Sequence, residues 1–196
     1  MTCGLILAAG ESRRMGSPKA LLEFQGEAFL DRLISLFRQR CAPVIAVLGA
    51  QREIVRAGLR RMDEAFLVAN PDYRLGQLSS MQCGLRAVPP TATGVLFTLV
   101  DHPAVTPATI ARLLDAPDDS GEPLRIPRYG GRRGHPIWIS QSLIPEFLAL
   151  PAECSAKDVI ARYAGAIHYV DVDDRGVVTD IDDPAAYQQL LAGSAA

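Results

Sequence analysis

The chain alternates short apolar runs with stretches whose apolar residues return every three or four positions. Gly4 to Leu7 is too short for a helix and is bounded by small residues, so it predicts a strand. Leu30, Leu33, Ile34 and Phe37 recur at helical spacing, with Asp31, Arg32 and Arg38 expected to face solvent. Val44 to Leu48 predicts the next strand, about Arg52 to Arg61 a short helix, and Ala65 to Ala69 a third strand. Leu78 onward reads as a helix. Val95 to Val100 is apolar at almost every position, as expected of a central parallel strand buried on both faces. Thr106 and Pro107 read as the cap and first position of the following helix, and Ile137 to Ile139 as a further strand. The segment HYVDVDDRGVVTDID predicts two strands joined by a turn at Asp173 to Gly176, with the acids of that turn solvated. Asp183 and Pro184 then open a final helix. This alternation predicts an α/β fold, a Rossmann-like three-layer sandwich around a mostly parallel sheet. At 196 residues the chain is long enough to bury most of its apolar surface, and a single domain over residues 1–196 is expected.

The chemistry begins where the first predicted strand ends. Ala8, Ala9 and Gly10 keep side chains away from the backbone amides, so a bulky anion can approach them, and Arg13, Arg14 and Lys19 add positive charge in the same loop. A triphosphate is the natural guest. Lysine is rare in a chain that otherwise uses arginine, the other being Lys157. An ammonium on a flexible stem can follow a phosphate as its charge shifts, whereas guanidinium offers a fixed fork. Neither the P-loop pattern nor the dinucleotide fingerprint occurs.

Asp101 stands at the carboxyl end of the Val95 to Val100 strand, where open α/β sheets collect their ligands. It is a candidate Mg²⁺ ligand, or else a residue leading into the next helix; Thr106 already caps that helix, which favours the metal. Asp180 and Asp182, two apart on the expected last strand, would point to one face and reach one ion, with Asp182 ranked first. His102 is expected to pack beside the metal, because a phosphate nucleophile is already an anion and needs no base. RYGGRRGHP reads as a mobile glycine loop in which Arg132 and Arg133 give anion affinity, with His135 either a substrate contact or a turn stabiliser. His168 is expected to be structural, without polar partners.

LAAGESRRMGSPKALL resembles the signature loop LAAGxSxRMGxPKxLL of nucleotidyltransferases that activate a cofactor or sugar with a nucleoside triphosphate. The match runs through Leu7, Ala8, Ala9, Gly10, Ser12, Arg14, Met15, Gly16, Pro18, Lys19 and Leu22. Molybdenum cofactor guanylyltransferases carry LAGGxxxRMGGxDK, whereas the LAAG and PK wording here is similar to that of the molybdenum cofactor cytidylyltransferases. The resemblance implies a fold of the nucleotide-diphospho-sugar transferase type and Mg²⁺-dependent transfer of CMP from CTP to the terminal phosphate of molybdopterin, releasing pyrophosphate. It implies catalytic roles for Arg14, Lys19 and Asp101, and nucleotide contacts from Leu7, Ala8, Ala9 and Gly10. Asn70, Gly76, Ser79 and Ser80 match the pattern NPxxxxGxxSSxxxGL that lines base and ribose, and a plain capping role for the serines stays open. DIDDPAAY is similar to DIDTPEDY, whose acids lie near the metal, which supports Asp182 and Asp180. Gly-His-Pro at 134–136 resembles the family's substrate-side motif, so Arg132, Arg133 and His135 are expected on the acceptor side.

One stretch departs from the family. Where Gly-Asp-x-Gly-Ala-Arg is usual, this chain has Ala152, Glu153, Cys154, Ser155, Ala156 and Lys157, which puts the acceptor in doubt and makes Lys157 a candidate contact. Transfer to a sugar or alcohol phosphate, and a non-catalytic carrier of the molybdenum cofactor, therefore remain rival readings, and a molybdoenzyme client is possible. A formal net charge of −2 excludes a general nucleic-acid binder. No signal peptide precedes the first strand, and the longest apolar run, near Pro43 to Gly49, is too short to span a bilayer; a cytoplasmic protein is expected. Cys3, Cys41, Cys83 and Cys154 lack metal spacing and are expected to be buried free thiols.

Overall fold

The computed structural model describes residues 1–116 and 121–193. The strands are β1 (Thr2–Ala8), β2 (Glu23–Phe24), β3 (Glu27–Ala28), β4 (Val44–Leu48), β5 (Phe66–Ala69), β6 (Gly94–Leu99), β7 (Leu124–Tyr129), β8 (Arg132–Arg133), β9 (Ile137–Ser140) and β10 (Ile167–Asp171). The helices are α1 (Phe29–Arg38), α2 (Arg52–Gly58), α3 (Gln77–Arg86), α4 (Pro107–Asp115), α5 (Ile144–Ala149), α6 (Ala156–Arg162) and α7 (Pro184–Gly193).

The main sheet runs β10-β7-β9-β6-β1-β4-β5, with β8 hydrogen-bonded to β7. β1 pairs in parallel with β4 and β6, and β4 with β5. β9 is antiparallel to β6 and β7, which returns β7, and β10 beside it, to the direction of β6. The carboxyl ends of β1, β4, β6, β7 and β10 therefore lie along one edge. From β1 the chain goes to β4 and β5 on one side and then crosses to β6 on the other. That reversal opens a crevice beyond the strand ends.

Period-two alternation sorts β1 between two cores. Cys3, Leu5 and Leu7 point into the layer of α3, α5 and α6, while Ile6 and Ala8 point into the layer of α1, α2, α4 and α7. Both faces are covered, and β1, β4 and β6 are buried through almost their whole length, which is why they read as continuous apolar runs. Thr106 caps α4, its hydroxyl accepting from the Thr109 amide, and Asp183 does the same for α7 through Ala186. Cys3 and Cys41 are buried, and burial pushes both thiols up to about 12. Cys83 and Cys154 are only half-buried, contrary to expectation.

Five further expectations are corrected. Asp31 does not face solvent: it is 2 % exposed and its two oxygens accept from the backbone amides of Arg60 and Arg61, at 3.1 and 2.9 Å, fixing the end of the α2 connection. His168 has a polar partner, its Nδ1 lying 2.7 Å from Glu122 Oε2. The glycine loop is a tight hairpin, with Gly130 and Gly131 at φ +54° and +78° between β7 and β8, a geometry that glycine reaches without strain. Beyond β10 the described residues form no second strand. The chain turns through a 3₁₀ segment, Arg175–Val178, and reaches α7 in irregular backbone, so Asp180 and Asp182 do not share the face of a strand. The acids of the expected turn are not all solvated either, because Asp174 is buried.

Candidate active site

A cleft of about 580 Å³ opens at the carboxyl edge, walled by the loop after β1, by the start of α3 and by the segment following β6. Leu7, Ala8, Ala9, Gly10, Arg14, Lys19, Gly76, Ser80, Asp101 and Asp182 all line it, so residues far apart in sequence meet there. Ser12 closes the first loop. It holds a left-handed φ of 52°, its carbonyl accepts from Met15, and its hydroxyl accepts from the Lys19 amide at 3.0 Å. Such backbone strain away from glycine is typical where a loop is pre-shaped for a ligand.

Lys19 reaches to the cleft floor. Its Nζ lies 2.6 Å from Asp182 Oδ1 and 3.7 Å from Asp101 Oδ2, and the side chain is only 14 % exposed. Arg14 Nη2 pairs with the other Asp182 oxygen at 3.2 Å. The hydrogen bond from Lys19 holds the Asp182 carboxyl below its usual range. Burial pushes the Asp101 carboxyl up; His102 and Lys19 oppose that, and Asp182 and Asp180 add to it. Asp101 Oδ1 is buried with no hydrogen-bond partner, an arrangement that costs free energy until a cation or donor meets it.

These residues fit a divalent cation. Among the described residues no group of three or more His, Cys, Asp and Glu could hold a metal by itself. Two carboxylates facing a single cleft are enough for Mg²⁺, which keeps waters and takes its remaining ligands from substrate phosphates. The Lys19 ammonium already sits between Asp101 and Asp182 as a cation would. Asp180 is exposed and acts on Asp101 only through its charge.

The remaining sequence candidates divide by position. Asn70 is buried, its amide donating to the hydroxyls of Ser79 and Ser80 at 3.0 Å while its oxygen accepts from the Asp72 amide, so it shapes the α3 entrance. Ser79 also donates to the Gly76 and Asp72 carbonyls. Arg132 and Arg133 sit exposed on the β7–β8 hairpin, at the same sheet edge as the cleft but outside its walls, and Arg133 lies over the Tyr169 ring. Lys157 is exposed in the first turn of α6, outside the residues that line the cleft. The His135 ring is enclosed between Phe97 and His102, with centroids 5.4 and 4.9 Å away, and does not reach the cleft. His102 is buried, its Nε2 3.7 Å from Asp101 Oδ1.

Gln51, Tyr73, Gln77 and Glu11 also line the cleft and were not singled out from sequence. Gln51 follows the end of β4 at the crevice, with a left-handed φ of 53°, so its place beyond a parallel strand end was the available signal. Glu11 pairs with Arg13 and, at 3.6 Å, with Arg74. With Arg13, Arg14, Lys19 and Arg74 set against Glu11, Asp101 and Asp182, the walls carry little surplus positive charge for a triphosphate.

A doubly covered, mostly parallel sheet whose carboxyl edge gathers a loop with three cations and two carboxylates around one cleft defines an α/β protein with a charged cleft beyond its strand ends. The sequence matches the MobA-like NTP transferase domain over residues 4–167, and the chain belongs to that family. The architecture is of the nucleotide-diphospho-sugar transferase type, shared with distant nucleotidyltransferases at TM-scores of 0.73 to 0.77. The chain is an enzyme of the nucleotidyltransferase kind.

Two relatives of known name align over nearly its whole length. The nicotine blue oxidoreductase of Paenarthrobacter nicotinovorans is 30% identical, covering 96% of this chain and 95% of that protein. The molybdenum cofactor cytidylyltransferase of Escherichia coli (strain K12) is 27% identical, covering 92% and 90%. Among solved structures, Rv0371c from Mycobacterium tuberculosis H37Rv is similar at 31% identity and a TM-score of 0.84, with 97% of each chain covered. A structure of Rv0371c in complex with manganese aligns at a TM-score of 0.77 and 27% identity, covering 97% of this chain and 98% of that one. Among the described residues no helix is long and apolar enough to cross a membrane.

Proposed function

We propose that this protein transfers CMP from CTP to the terminal phosphate of molybdopterin or the molybdenum cofactor, releasing pyrophosphate in a Mg²⁺-dependent reaction. The observation that carries this reading is the Lys19 ammonium, fixed by the LAAG loop and set between Asp101 and Asp182 at the cleft floor. A binding protein without chemistry has no use for a lysine held against two metal-ligand carboxylates.

The Leu7–Gly10 backbone and the start of α3 at Gly76 and Ser80 would cradle the nucleotide, with Asn70 and Ser79 holding that helix entrance in shape. Asp101 and Asp182 would hold the magnesium ion, with Asp180 beside them, and the bound ion would neutralise charge on the triphosphate. As CTP enters, Lys19 and Arg14 leave Asp182 for the phosphates and stabilise the charge that builds on departing pyrophosphate. The acceptor phosphate attacks the α-phosphorus in line, forming one P–O bond as the bond to pyrophosphate breaks, and no general base is needed. Arg132 and Arg133 on the hairpin, and Lys157 at the start of α6, would meet the anionic acceptor at the cleft edge. His135 would act on that side by supporting the ring of His102 from behind.

Purified protein with Mg²⁺ and molybdenum cofactor, given CTP, GTP, ATP or UTP, tests this through pyrophosphate release. Release with CTP alone is expected. Release only with GTP would move the base preference, and release with CTP only when a sugar or alcohol phosphate is supplied would replace the acceptor. The oxidoreductase relative supports a second reading, in which the same loop holds the phosphates of a redox dinucleotide. Oxidation of a reduced nicotinamide dinucleotide by an added electron-accepting dye, with the dye reduced and no pyrophosphate released, would favour it.

A further inference from the structure

We propose that Asp174, which lies outside the cleft and touches no substrate, is the positioning residue that sets the distance between the two metal-binding carboxylates; this rests on the reading of Asp101 and Asp182 as cation ligands. Asp174 is 7 % exposed, and both of its carboxylate oxygens accept hydrogen bonds from backbone or hydroxyl donors in two different segments. Oδ2 accepts from the Thr106 amide at 2.9 Å, the Thr106 hydroxyl at 2.8 Å and the Thr109 hydroxyl at 2.6 Å. Oδ1 accepts from the Gly176 amide at 2.9 Å. One oxygen thus grips the start of α4, to which the Asp101 loop leads directly. The other grips the 3₁₀ turn that leads to Asp180 and Asp182.

The seam continues toward the cleft. The Ile181 amide donates to the Asp101 carbonyl at 2.9 Å, and the His135 amide donates to Val177 at 2.9 Å. Gly176 packs so closely that a Cβ there would collide with the Ala104 carbonyl, and one at Gly134 would collide with Val177. Backbone therefore lies directly on backbone at two points on the approach to Asp182, Gly176 on Ala104 and Gly134 on Val177. Neither Asp101 nor Asp182 stands in a strand or helix, so no regular element fixes their separation. Asp174 supplies what a sheet register would otherwise supply. Partners that hydrogen-bond a metal ligand directly are worth roughly ten- to a hundredfold in metal affinity when removed, and Asp174, which acts one step further out through backbone, is expected at the lower end of that range.

Asp174→Asn separates positioning from general support. With its single acceptor oxygen kept on the threonines, its amide group faces the Gly176 N–H, donor against donor, which frees the turn while α4 stays capped. Binding of Mn²⁺ to the protein saturated with a CTP analogue bearing a methylene between the α- and β-phosphorus, followed by electron paramagnetic resonance, is the primary readout. We expect roughly tenfold or more weaker Mn²⁺ binding and a matching rise in the Mg²⁺ needed for half-maximal turnover. At saturating metal, kcat and the KM for CTP should stay within about threefold, because the cleft residues are unchanged. Leu113→Ala, buried on α4, should lose as much thermal stability without moving the metal requirement. Thr109→Val removes one donor and should weaken Mn²⁺ binding in the same direction, and Thr109→Ser, which keeps the hydroxyl, should restore it. These two carry the test if Asp174→Asn does not fold. Wild-type Mn²⁺ affinity in Asp174→Asn, or in Thr109→Val should the first variant be unfolded, overturns the proposal. A wild-type protein that binds no Mn²⁺ beside the nucleotide analogue overturns the metal reading itself, and the proposal with it.

Discussion

Acid should destabilise this protein through one identifiable ring. His135 lies packed between Phe97 and His102, and burial, reinforced by the His102 charge and partly opposed by a hydrogen bond to the Phe97 backbone, lowers its pKa from 6.5 to about 3. The native ring is thus neutral where the unfolded chain's ring takes up a proton. Above the unfolded value the two states bind alike and nothing is lost. Between pH 6.5 and about 3 the unfolded state holds the extra proton, so stability falls as the pH falls through this window. The full difference corresponds to about 5 kcal/mol, complete only below the native value, and the step from pH 7 to pH 5 accounts for about 2 kcal/mol of it. For a chain of this size that step is a drop of about 4–8 °C in Tm. Carboxylates titrate over the same range, so the comparison is between wild type and His135→Gln, whose amide can still reach the Phe97 carbonyl. Thermal unfolding of both at pH 7, 6, 5.5 and 5 should give a shallower loss in the variant, by about 2 kcal/mol across the series. Parallel curves would refute the reasoning.

Lys19→Ala should lower turnover by on the order of a hundredfold or more at saturating nucleotide and metal, by the logic of losing a preorganised charge donor, with little change in Tm. Wild-type turnover would show that the loop has been misread. Asp31→Asn should destabilise the protein by about 1–3 kcal/mol in urea unfolding, since an amide offers one oxygen where two backbone donors from Arg60 and Arg61 wait. An unchanged midpoint would mean that the α2 connection is held some other way.

How much of this was legible from residues alone follows from where the information lies. β1, β4 and β6 are buried on both faces, so their apolar runs announce them, and Asp101 follows from the rule about strand ends. The LAAG loop was readable because its small residues and cations stand together in one stretch, and the fold brings both to the wall of the cleft. Asp31 and Asp174 were misplaced in solvent for one reason: a carboxylate is buried when backbone amides converge on it, and that convergence is tertiary. The segment after β10 alternates like a strand, but its partners are Asp174, Ala104 and the Asp101 carbonyl rather than another strand, so period two misled. His168 found Glu122 across a connection that no local pattern records.

In the proposed reaction the bond between the α- and β-phosphates of a nucleoside triphosphate breaks in the cleft and the nucleotidyl group passes to the acceptor. CTP labelled at the α-phosphorus, incubated with the protein, Mg²⁺ and molybdenum cofactor, and compared with CTP labelled at the γ-phosphorus, tests it directly. Label from the α position should appear on the acceptor, with γ label recovered only in pyrophosphate. Transfer of γ label to the acceptor, or transfer of neither label, would contradict this reaction.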